Sequence, residues 1–150
     1  MASPYSLFKT DPNKEVQGVI INYGDEAWFR IARAGGANKA YLKAMADRLK
    51  PFRRQIQTET MDEKVADSLV MEVFVDTVLL GWGSKVPALD GEGTTDVDYI
   101  EGENGQRLDF TRENAIKVLT DLPELYRELR AESERLGTFT AVVKEGDAKN

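Results

Sequence analysis

The chain has 150 residues, 41% apolar and 31% charged, which suits one soluble globular domain with a real hydrophobic core. It holds no cysteine and no histidine, which excludes disulfides, zinc–thiolate sites, thiol catalysis, Ser-His triads and the commonest transition-metal ligand. Residues 1–57 carry ten Lys/Arg against five Asp/Glu and residues 58–150 ten against twenty-one, a polarity that suits head-to-tail self-association or a basic partner surface and argues against duplex nucleic acid.

Residues 1–15 include Pro4 and Pro12, show little periodicity and read as a flexible arm without a signal-peptide pattern. Residues 16–33 read as a β-hairpin around Gly24-Asp25-Glu26, with Val19, Ile21 and Tyr23 on one face and Phe29 and Ile31 opposed to Trp28 and Arg30. Gly35-Gly36 then turns the chain into a helix capped by Asn38, with Ala40, Tyr41, Ala44, Met45 and Leu49 at helical spacing up to Pro51. The strongest helical stretch runs from a Thr60/Glu63 capping box through Leu80, and Gly81 and Gly83 around Trp82 stop it. Residues 84–98 read as loop, and Asn104-Gly105 centres a second short hairpin over 99–110. Thr111 caps one further helix and Asp121, ahead of Pro123, a last one with Leu122, Leu125, Tyr126, Leu129 and Leu136 inward; Gly137 ends it. The expected fold is a predominantly helical α+β domain of about four to five helices with two hairpins, spanning 16–137, and residues 138–150 form a mobile tail. The longest apolar run, 68–82, is broken by Glu72 and Asp76 and is too short to span a bilayer, so no membrane partner and an intracellular location are expected.

Four features invite chemistry. "RIARAGGANKAY" (30–41) has the strand, glycine turn and lysine of a phosphate loop, but Lys39 is followed by Ala40 where magnesium requires a hydroxyl, and it reads as a turn into a capped helix. "DGEGTTDVDYIE" (90–101) places Asp90, Glu92, Thr94, Asp96, Asp98 and Glu101 at the ligand spacing of a calcium loop, but Thr95 stands where glycine is required, which favours a solvated acidic loop. Glu72 and Asp76 lie one turn apart on an apolar helix, a spacing open to acid–base use but better read as a solvated stripe. Finally, Arg48, Phe52, Arg53, Arg54 and Ile56 interleave basic and apolar side chains and read as a protein-binding patch. No nucleophile–base pair, metal site or cofactor loop stands out, and the chain reads as a binding protein with no catalytic role.

The order of these features resembles tail assembly chaperones of long-tailed bacteriophages. The resemblance spans about residues 28 to 136 and rests on Arg33, Gly35, Gly36 and Asn38, on Trp82, and on Phe110, Thr111, Glu113, Asn114, Leu119, Asp121, Leu122, Pro123 and Leu125. It implies a non-catalytic role in the bacterial host cytoplasm: coating the helical tape-measure protein while tail-tube subunits polymerise, then leaving before the virion is complete. It also implies possible homo-oligomers and, in many members, a frameshift-extended form. The alternative reading is a structural virion protein, such as a head–tail connector or tail completion protein.

Overall fold

The computed structural model describes residues 3–140. Within the expected arm, helix α1 (Pro4–Phe8) is capped by Ser3 and α2 (Pro12–Gln17) by Asp11, each with proline in the first turn where a missing N–H costs nothing. Asp11 N–H donates to the Phe139 carbonyl at 2.9 Å and Thr10 bridges Thr140, so this segment is laid against the end of the described chain. Of the expected tail, Phe139 is fully buried, and residues 141–150 lie outside the described residues.

Strands β1 (Val19–Tyr23) and β2 (Ala27–Ile31) form the expected hairpin, Ile21 opposite Phe29. Alternation turns Phe29 and Ile31 into the core with Val19, Ile21 and Tyr23 against it, and leaves Ile20 and Arg30 outside. Helix α3 (Lys39–Leu49) leads through a 3-10 turn at Pro51 into the short α4 (Arg53–Gln57). Helix α5 (Glu63–Thr77) is capped by Asp62, whose carboxylate accepts from Lys64 N–H at 2.8 Å; Thr60, expected in that role, bonds the Thr58 hydroxyl instead.

The expectation of a predominantly helical domain with two hairpins is overturned here. Strand β3 (Leu79–Pro87) begins two residues after α5 ends, and β4 (Thr94–Val97) forms inside the stretch read as loop. Together with the hairpin they make a four-stranded antiparallel sheet in the order β1-β2-β3-β4. The helix-to-strand switch falls inside one apolar run: Thr77 Oγ1 bonds back to Val73, and the Val78 carbonyl accepts from Ala32 N–H at 2.7 Å. Gly83 is no helix stop, since it pairs with Trp28, whose ring covers it where any Cβ would stand. The domain is therefore a mixed α+β fold.

Strands β5 (Tyr99–Glu101) and β6 (Arg107–Asp109) form the second hairpin as a separate two-stranded sheet. Thr111 caps α6 (Arg112–Asp121) through Asn114 N–H at 3.1 Å. Asp121 does not cap α7 (Pro123–Glu134): it closes α6 and accepts from Lys117 at 2.6 Å, while Leu122 is exposed. Phe29, Ile31, Leu79 and Trp82 from the sheet meet Phe74, Val78, Leu119 and Leu129 from the helices in one core. Among the described residues no helix is long and apolar enough to cross a membrane.

Candidate functional site

Of the expected patch, Phe52, Arg53, Arg54 and Ile56 stay together on the short 3-10/α4 segment. Arg53, Arg54 and Ile56 are exposed and Phe52 is half-buried; neither arginine has an ion pair among the described residues. Ile56 is 44% exposed, and Leu42 on α3 and Val65 on α5 are exposed apolar side chains on the neighbouring helices. Arg48 is committed elsewhere. Its two terminal nitrogens lie 3.0 Å from Glu72 Oε2 and 3.0 Å from Asp76 Oδ2. Arg112 reaches the same carboxylates, with Nε 2.8 Å from Asp76 and Nη2 3.3 Å from Glu72. The polar stripe of α5 is thus a four-member ion network tying α3 and α6 to it. Partly exposed pairs of this kind fix geometry more than they add stability.

The glycine turn before α3 surrounds an anion that belongs to the chain itself. The Glu15 side chain, 2% exposed, enters the turn and accepts from Ala37 N–H at 2.8 Å, from Arg33 Nη1 at 3.2 Å and from the Thr10 hydroxyl. Gly36 has φ +54°, and a Cβ there would fall on Glu15 Oε2. Asn38 stands at the helix start as expected, but its side chain does not cap. It is buried, and Nδ2 donates to the carbonyls of Arg33 at 2.8 Å and Thr77 at 3.0 Å, joining the turn to the end of α5.

Burial acts to raise the Glu15 pKa, and the hydrogen bonds from Thr10, Ala37 and Arg33, with the Arg33 charge, outweigh it and hold the carboxyl below its usual 4.5. A lowered folded pKa contributes stability that is complete above the unfolded value and lost as pH falls through the folded one. Wild type should therefore exceed Glu15→Gln in urea midpoint at neutral pH, and the gap should narrow as pH drops below the usual 4.5. A gap that stays constant down to about pH 3 would show that the carboxylate charge is not what the turn holds.

A second concave feature lies where β2 and β3 meet the β5–β6 hairpin. A cleft of about 390 Å3 is lined by Trp28, Arg30, Gly81, Trp82, Asp98, Arg107, Asp109 and Phe110. Trp82 is buried and donates from Nε1 to the Leu108 carbonyl at 3.1 Å, while Trp28 is half-buried and reaches solvent. Arg107 is already held, by Asp109 at 2.7 Å and over the Tyr99 ring at 4.2 Å. The calcium-loop spacing of 90–101 is distributed over the turn before β4, β4 itself and β5, and among the described residues no three Asp/Glu side chains converge to hold a metal ion.

A family model described as YdaY prophage protein matches residues 36–150. The chain belongs to this family. Its membership makes it a phage-derived protein, and the YdaY match starts at Gly36, so it takes in α3 through α7, β3 to β6 and the α4 patch. Glu15, Trp28 and Arg30 lie ahead of the YdaY match. No curated protein and no solved structure matches the chain.

Neither Arg112 nor Glu15 stands out in the sequence as a site residue, and of the cleft walls Asp98 is read there only as a calcium-loop position and Trp82 and Phe110 only as parts of the family resemblance. Arg112 follows a helix cap and nothing local points to α5, and Glu15 sits in a polar, proline-flanked stretch. For the cleft a signal existed: Trp28 and Trp82 are the chain's two tryptophans, each beside a glycine or a hairpin turn.

Proposed function

We propose that this chain is a tail assembly chaperone that binds the helical tape-measure protein in the host cytoplasm, keeps it soluble and helps recruit tail-tube subunits. The observation that carries the reading is α4, where Arg53 and Arg54 are exposed and make no ion pair among the described residues, beside exposed Ile56 and half-buried Phe52. A basic–apolar ridge of this size offers a modest, reversible contact to an amphipathic helix whose apolar stripe would otherwise aggregate. The phage-derived family and the resemblance of residues 28–136 to tail assembly chaperones support the same reading.

Co-expression with a tape-measure fragment should raise the fragment's solubility and give a complex on pull-down. Arg53→Glu with Arg54→Glu should reduce the recovered complex by about tenfold while leaving the thermal midpoint unchanged, because both side chains are exposed. Equal recovery with the double variant would remove α4 from the interface, and no complex with wild type would remove the chaperone reading. Detection of the chain in purified virions by mass spectrometry would make it a structural component of the head–tail junction or tail.

A further inference from the structure

We propose that the cleft between β2, β3 and the β5–β6 hairpin binds an arginine or lysine side chain of a basic peptide segment in a partner protein. Three aromatic residues line it: Trp82 is buried, while Trp28 and Phe110 are half-buried and reach solvent. An indole face in a partly desolvated cleft attracts a cation, and tryptophan does so best among the aromatic side chains. Gly81 leaves the cleft free of a side chain at its place in β3, where it pairs with Arg30. Asp98 lines the cleft and makes no direct ion pair among the described residues, although it lies within the field of Arg107, whereas Asp109 is bonded to Arg107 at 2.7 Å.

The charge around the cleft decides the sign of the ligand. Residues 84–110, which carry β4, β5 and β6, hold seven carboxylates against Lys85 and Arg107 alone. Asp90, Glu92, Asp96, Asp98, Glu101 and Glu103 are all exposed, so their field reaches solvent. A phosphate-bearing ligand would meet that field, and a basic segment is drawn by it. The inference does not rest on the chaperone reading: α4 carries the opposite charge and belongs to a different part of the fold, so either surface can fail without the other.

Trp28 and Trp82 are the two tryptophans of the chain and both line the cleft, so tryptophan emission, excited where tyrosine does not absorb, reads this site. Titration of the full chain with tri-arginine amide should give a saturable change, with triglycine and tri-glutamate giving none. About 0.5 M NaCl should abolish most of the response, since screening then acts within a few ångströms. Asp98→Asn should weaken binding by about fivefold, and Arg30→Gln should tighten it by a similar factor. Removing a repelling cation from the lining strengthens binding only if the ligand is itself a cation. Both side chains are exposed, and unchanged far-ultraviolet circular dichroism would show the fold intact. No fluorescence change with tri-arginine, or an equal change with triglycine, would overturn the proposal. Reversed signs in the two variants, with tri-glutamate or oligothymidine bound instead, would assign the cleft to an anion and overturn it equally.

Discussion

Gly36→Ala should lower stability by about 4 kcal/mol and the thermal midpoint by about 10 °C. The backbone there has φ +54°, a conformation that costs alanine about 1 kcal/mol relative to glycine. The larger share comes from Glu15. A Cβ at position 36 would occupy the place of Glu15 Oε2 and stand 2.9 Å from Arg33 Cδ. The end of a glutamate ordinarily swings aside, but this one is buried and pinned by Ala37 N–H, Arg33 and Thr10. Moving it leaves a buried carboxylate without its donors, among the costliest changes a single substitution makes. The pair of variants separates the two effects. In a Glu15→Ala background the collision with the carboxylate is gone and Arg33, released from its ion pair, can swing aside, so Gly36→Ala should cost little beyond the backbone share of about 1 kcal/mol. Thermal denaturation of the four proteins measures the coupling, and an equal cost in both backgrounds would show that the glycine serves φ alone.

The same turn marks where sequence reading succeeds and where it stops. Two adjacent glycines and an asparagine before a helical pattern announce a turn into a helix, and the turn is there. The features that resembled a phosphate loop do hold an anion, but it is a carboxylate from a helix twenty residues upstream, and no local pattern in "DPNKEVQ" marks Glu15 for burial. Alternation in 19–31 made the first hairpin legible because one face of each strand is buried and the other is not. Strand β3 stayed hidden for the opposite reason. Asp76, the last polar residue but one before its start, falls in register with the polar stripe of α5 and so reads as helix, and its glycines carry the signal of a stop. Only the three-dimensional pairing explains Gly83, because the Trp28 ring and the Val97 carbonyl lie where its side chain would be. In the candidate patch, the residues on one short segment, Phe52 to Ile56, remain neighbours, while Arg48 is drawn away by Glu72 and Asp76. The one-turn spacing of those carboxylates could be read; their partners on α3 and α6 could not.

Trp82→Ala should cost about 4 kcal/mol, a large part of the stability of a domain of this size. Trp82 is 1% exposed and stands between both sheets. Its ring meets Phe29 of β2 edge-on at 6.3 Å and Phe110, just past β6, at 5.2 Å, while Nε1 donates to the Leu108 carbonyl at 3.1 Å. Truncation opens a cavity at the point where the β5–β6 hairpin is attached to the four-stranded sheet, so the loss should be local as well as global. Hydrogen exchange at the amides of Arg107 to Asp109 should accelerate more than exchange in β1. Trp82→Phe keeps most of the ring contact and gives up the hydrogen bond, at a cost of about 1 kcal/mol for the bond and somewhat more for the lost volume. Urea unfolding of the two variants weighs packing against hydrogen bonding. If Trp82→Phe proved as damaging as Trp82→Ala, hydrogen bonding rather than aromatic packing would be what holds the second sheet, through the Leu108 contact together with the bond that Ser84 Oγ donates to the Tyr99 carbonyl at 2.7 Å.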